Sequence, residues 1–118
     1  ENIKMTKVAI IQFPDNAIIP DNSADKVLEE ISNFKGEKKL RLIGHASKTG
    51  SETVEGKRIN MEISISRAQT IKNMLINKGF DGSDIEVFGK GDLEPLQEEA
   101  EEFGDAVNRR VEVFFISN

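Results

Sequence analysis

Cysteine, tryptophan and tyrosine are absent from this chain, and histidine occurs once. Without cysteine there is no disulfide framework, no thiolate metal site and no thiol nucleophile. A single histidine with no second histidine or well-spaced carboxylate pair is a poor metal ligand. No run of eighteen apolar residues occurs, so no segment reads as a membrane-spanning helix. A secretory leader pattern is also missing. The first residue is Glu1 and not methionine, so the chain reads as a processed product or a piece of one, and any membrane anchor is expected outside it. An excess of positive charge is lacking as well. Sixteen Lys and Arg face 21 Asp and Glu, for a net charge of −5. That balance argues against a nucleic-acid backbone or an anionic membrane surface as partner, since both need a basic face.

What is present suits one soluble globular domain over residues 1–118. The chain is 37% hydrophobic and 31% charged, which is a folded composition and not a disordered one. Its length suffices for a core without covalent staples. Seven phenylalanines and many Ile and Val must fill it.

Periodicity divides the chain into alternating elements. Residues 5–13 are β-branched and apolar and stop at Pro14, as a strand does. Residues 14–22 carry two prolines and read as a structured loop. Asn22 or Ser23 is placed to cap a helix over 24–34 whose Ala24, Val27, Leu28, Ile31 and Phe34 share one face. Gly36 ends it. Residues 38–45 alternate Leu40, Leu42 and Gly44 as a strand with one buried side. Residues 45–58 read as a polar loop. A second helix is expected over 59–78, with Met61, Ile65, Ala68, Ile71 and Leu75 buried and Gly79 as terminator. Residues 85–89 and 109–116 make two more strands, separated by a long acidic loop that ends in Glu98, Glu99, Glu101 and Glu102, a solvated stretch. The order is β-α-β-α-β-β. Helical crossovers imply parallel strand pairs, and the last strand, reached without a full helix, is free to run antiparallel. The expected fold is α/β (α+β): a mixed four-stranded sheet with both helices on one face.

Three polar groups stand at the ends of these elements. Asn60, Ser64 and Arg67 fall at i, i+4 and i+7, one stripe of the second helix, and the apolar stripe is expected on the opposite side. Arg67 offers a planar fork of donors suited to a carboxylate; a solvated arginine is the plainer alternative. His45-Ala46-Ser47-Lys48-Thr49-Gly50 follows a strand directly, at the edge where open α/β sheets bind ligands. Ser47 and Thr49 bring hydroxyls there, and His45 is expected to be a structural hydrogen-bonder. Before the last strand, alternation points Arg109 and Arg110 to opposite sides, one toward a cleft and one toward solvent or an acid. Catalysis has little support. There is no nucleophile elbow, Gly89-Lys90-Gly91 is not a phosphate loop, and no serine stands out as a strained nucleophile.

Taken in order, these segments resemble the outer-membrane-protein-A-like (OmpA-like) domain family. The carriers are Gly44-His45-Ala46-Ser47 against the family's Gly-His-Thr-Asp, and Asn60-Met61-Glu62-Ile63-Ser64-Ile65-Ser66-Arg67-Ala68 against Asn-x-x-Leu-Ser-x-x-Arg-Ala. Val87-Phe88-Gly89, Gly91-Asp92-Leu93-Glu94-Pro95 and Asn108-Arg109-Arg110-Val111 follow, and Ile11-Gln12-Phe13 with Asn16 matches the first strand and loop. The resemblance implies a periplasmic, non-catalytic module of a Gram-negative outer membrane that needs no cofactor. It implies a partner too, the diaminopimelate residue of an uncrosslinked peptidoglycan stem peptide, by which an outer-membrane protein or lipoprotein is tethered to the wall. By position it assigns ligand binding to Arg67, Asn60, Ser47, Thr49, Asn16, Ser64 and Arg110. The family's aspartate position holds Ser47, which brings no charge, so Glu52, Glu55 or Glu62 would have to replace it. The alternative is a module of the same fold that has lost this ligand and binds other envelope proteins.

Overall fold

The computed structural model describes residues 3–96 and 104–117. Four strands, β1 (Lys4–Gln12), β2 (Lys39–His45), β3 (Ile85–Gly89) and β4 (Arg110–Ser117), form one sheet in the order β1-β4-β2-β3. The helices are α1 (Ala24–Ser32), α2 (Val54–Asn77) and the single turn α3 (Gly104–Asn108). β2 and β3 pair in parallel, whereas β4 runs antiparallel to both β1 and β2. The α1 crossover does make β1 and β2 parallel in direction, but β4 inserts between them, so that crossover yields no parallel pair. The expected mixed four-stranded sheet is present.

Both long helices cover the same face. Leu28 and Ile31 from α1 and Ala68, Ile71 and Leu75 from α2 pack on Ile11, Leu40, Leu42, Ile85, Val111 and Val113 from the four strands. The glutamates 98, 99, 101 and 102 lie outside the described residues.

Several boundaries differ from the expectation for identifiable reasons. α2 begins at Val54, five residues early, because the Thr53 hydroxyl caps it by accepting from Gly56 N at 2.9 Å. That is the usual N-cap role of threonine. α1 starts after Ser23, but no side chain caps it. Instead Ala24 N and Asp25 N donate to the carbonyls of Asp21 and Asn22. α1 stops before Phe34, whose partly exposed ring packs on Phe115 with centroids 5.0 Å apart. Ile65 is exposed and Met61 half-buried. The buried positions of α2 are Asn60, Ser64, Arg67, Ala68, Ile71 and Leu75. The polar triad therefore continues the apolar stripe and does not oppose it, since steps of four, three, one, three and four residues stay on one side of a 3.6-residue helix.

α2 lies close on the sheet because two glycines, Gly44 and Gly89, pair in register beneath it. A methyl group on Gly44 would sit 1.8 Å from the Ser64 carbonyl oxygen, and one on Gly89 would sit 2.3 Å from Ile65 Cγ1. No alanine fits either place without moving the helix.

The other sheet face carries a sealed polar group. His45 and Arg110 are paired across β2 and β4, and both are buried with Glu112. Arg110 Nε donates to Glu112 Oε2 at 2.8 Å, and Nη2 donates to the Glu94 carbonyl at 2.9 Å. His45 Nε2 stands 3.6 Å from Glu112 Oε1, and neither ring nitrogen makes a hydrogen bond. The expectation of His45 as a structural hydrogen-bonder thus fails for its ring: Arg110 holds Glu112 Oε2, and the facing Oε1 stands beyond hydrogen-bond distance. Burial first, and the Arg110 charge second, push the His45 pKa down to about 4. Burial works against the charged form of Glu112, but the hydrogen bond and charge of Arg110 outweigh it and hold that carboxyl below its ordinary range.

Two outcomes are expected. Gly44→Ala should lower stability by about 2 kcal/mol or more through overpacking, read as a fall of roughly 10 °C in a thermal melt; an unchanged melt would contradict the close approach. The single imidazole signal should titrate by NMR near pH 4 and not near 6.5. Because the unfolded chain takes up that proton at a higher pH than the folded one, stability should decline as pH falls from about 6.5 toward 4. Glu112 carries the same decline lower, below about 4.5.

Candidate functional site

The end of β2, the middle of α2 and the loop after β1 meet at one point. Arg67 occupies it. Packing of Ser64 on the Gly44–Gly89 pair sets the distance of α2 from the sheet, and Arg67 follows three residues later, over the carbonyl end of β2. Its side chain is only 1% exposed. Nε donates to the Ala17 carbonyl at 2.8 Å, and Nη1 donates to the His45 carbonyl at 3.2 Å. The guanidinium also lies 5.3 Å from the Phe13 ring centroid, a cation–π contact. Nη2 makes no hydrogen bond among the described residues and is not one of the sealed polar atoms. Arg67 lines a small pocket together with Asp15, Asn16, Ala46, Ser47, Thr49, Asn60, Ile63 and Arg109.

Among the described residues, no carboxylate pairs directly with Arg67. Burial, and then the neighbouring Arg109 charge, lower its pKa to about 10, with Asp15 acting in the opposite direction. The group stays charged at neutral pH. A buried cation held by neutral carbonyls keeps its charge available for an incoming anion.

Of the residues expected at the site, Arg67, Asn60, Ser47, Thr49 and Asn16 do converge on this pocket. Their tasks differ. Asn60 Nδ2 donates to the Thr49 carbonyl at 3.0 Å and to Ser51 Oγ at 2.7 Å, so it pins the 47–51 loop. Ser47 Oγ accepts from Thr49 N at 3.2 Å. Asn16 adopts φ 57°, a left-handed conformation that asparagine tolerates better than most residues.

Two expected residues are not brought there. Ser64 Oγ donates to the Met61 carbonyl at 2.7 Å and accepts from Gly91 N at 2.9 Å. Fully buried, it clamps the helix to the 90–92 turn. Arg110 is on the opposite sheet face with Glu112 and Glu94. Arg109 takes its place at the pocket, with Nε donating to the Phe13 carbonyl at 3.1 Å. Period-two alternation already placed one of the two arginines at the cleft, but it could not choose between them.

The proposed stand-ins for the charge missing at Ser47 are also elsewhere. Glu55 and Glu62 both pair with Arg58 on the exposed side of α2. Glu52 lines a larger groove of about 490 Å³ with Lys48, Lys57 and Asp92. The carboxylate that does line the pocket is Asp15, which sequence reasoning missed. Its signal was its position in the Pro14-Asp15-Asn16 loop beside an expected ligand residue. The pocket's free volume is about 20 Å³, room for one water. A larger group needs the lining to move apart.

Known proteins place this arrangement. "Probable lipoprotein YiaD" of Escherichia coli (strain K12) is 35% identical over 74 residues, 63% of this chain and 32% of that protein. "Peptidoglycan-binding protein ArfA" of Mycobacterium tuberculosis (strain ATCC 25618 / H37Rv) is 33% identical over 75 residues, 64% of this chain and 22% of that protein. The chain thus spans a third or less of the length of these two relatives. Among solved structures, the peptidoglycan-associated lipoprotein from Burkholderia pseudomallei shares the fold with a TM-score of 0.81 at 16% identity, covering 90% of this chain and 88% of that one. The OmpA-like domain of FopA1 from Francisella tularensis matches with a TM-score of 0.77 at 22% identity, over 92% of this chain and 70% of that one. The model of the OmpA family matches residues 13–109, from the Phe13 ring under the guanidinium to Arg109 beside it, and the chain belongs to that family.

Proposed function

We propose that this domain binds peptidoglycan without catalysis. It grips the diaminopimelate end of an uncrosslinked stem peptide and so ties a periplasmic or outer-membrane protein to the cell wall. The observation that carries this reading is the Arg67 guanidinium. It is buried, charged, held by two main-chain carbonyls and part of the lining of a pocket that also holds Arg109. Such a fork suits a carboxylate, and a stem ending in diaminopimelate presents one. Two similar proteins support the same reading by name: one is a peptidoglycan-binding protein, the other a peptidoglycan-associated lipoprotein. Asn60, Ser47, Thr49 and Asn16 would shape the pocket, and the net charge of −5 disfavours diffuse adhesion to an anionic wall.

One observation favours a second reading, in which the domain binds another envelope protein. The helix-free sheet face exposes Met5, Ile10 and Phe88, an apolar set that the pocket does not use.

Co-sedimentation with purified peptidoglycan separates the two. Wild type should pellet, and Arg67→Ala should bind tenfold to a hundredfold more weakly, the loss of about 1.5–3 kcal/mol expected of a charged hydrogen bond. Arg67→Lys keeps the charge and loses the fork, and should fall between. Thermal melts of each variant report whether the fold survives losing the Ala17 and His45 carbonyl contacts. Wild type remaining in the supernatant at low salt would overturn the wall-binding reading.

A further inference from the structure

Resting on the wall-binding reading, the pocket's charge pattern points to the group that receives the ligand's amine. Position 47 supplies a hydroxyl that is occupied by Thr49 N. Glu55 and Glu62 are consumed by Arg58, and Glu52 faces a different groove. Among the described residues, the acid that lines the pocket is Asp15.

The turn that carries Asp15 is fixed in place. Ala17 N donates to the Pro14 carbonyl at 3.1 Å, and the Ala17 carbonyl accepts from Arg67 Nε at 2.8 Å. Arg67 thereby holds the loop that presents the acid. The neighbouring Phe13 is bolted to Arg109 at both its amide and its carbonyl, at 2.9 and 3.1 Å. The Asp15 side chain itself makes no hydrogen bond and no ion pair among the described residues. One exposed carboxylate stands beside two guanidinium groups around one concavity, which matches an amino-acid end bearing a carboxylate and an ammonium.

We infer that Asp15 is a specificity-determining residue: its carboxylate, reaching in from the β1–α1 loop, receives the ammonium of the stem peptide's terminal diamino acid, the task for which position 47 has no charge.

The test uses two synthetic stem peptides ending in meso-diaminopimelate, one with its free side-chain amine and one with that amine acetylated. Affinities are measured by calorimetry for wild type, Asp15→Asn and Asp15→Ala. Wild type should prefer the free amine by tenfold or more. Both variants should lose that preference, binding the free-amine peptide at least tenfold more weakly. Their affinity for the acetylated peptide should match wild type, which also shows that they are folded. If both variants keep the wild-type preference, Asp15 is not the amine receptor, although the wall-binding reading stands. If wild type binds neither peptide, the wall-binding reading fails and this inference goes with it.

Discussion

The contact between the Ser64 segment of α2 and the Gly44–Gly89 pair sets the geometry of everything around it. Two adjacent strands present bare backbone at the same register position, so the helix comes closer than any side chain would allow. Ser64 then uses its hydroxyl to hold the 90–92 turn. One turn along, Arg67 is carried over the end of β2, near enough to donate to the His45 carbonyl. The site is thus a consequence of packing: the arginine reaches its pocket because glycines let its helix descend.

Burying a guanidinium is costly unless its donors are met. Here the partners are carbonyls and an aromatic face, all neutral. That choice separates Arg67 from Arg110, which is also buried but directly paired with Glu112. The same residue type serves two ends on two sides of one sheet. Arg110 neutralises a buried acid and stabilises the sheet's second face, while Arg67 keeps an unspent charge beside solvent. Acidic conditions strain the first arrangement, through His45 and Glu112, and leave Arg67 charged.

The fold was largely legible because its signals are periodic. Alternation in Leu40, Leu42 and Gly44 marked a one-sided strand, and the spacing of Ala68, Ile71 and Leu75 marked a buried helix face. Less legible were features set by tertiary contact. The five extra residues of α2 depend on Thr53 as cap, inside a stretch so polar that it read as loop. The relation of the polar triad to the apolar stripe was open to arithmetic on the helix, yet polarity suggested exposure where packing enforced burial. In the candidate site, the motif named Arg67 and its neighbours on the 47–51 loop, and the fold brings them to one pocket. Ser64 was misplaced because a motif does not say whether a hydroxyl faces a ligand or a backbone amide. Asp15 is not legible from position 47, because the pocket brings the two together across some thirty residues of chain.

A structure of the domain with a stem peptide ending in diaminopimelate tests the central claim most directly. The account predicts a ligand carboxylate hydrogen-bonded to Arg67 Nη2, with the pocket lining moved apart and the Ala17 and His45 carbonyls still holding Nε and Nη1. A peptide seated on the helix-free sheet face or in the groove beside Lys57, with the Arg67 pocket still closed, would contradict it.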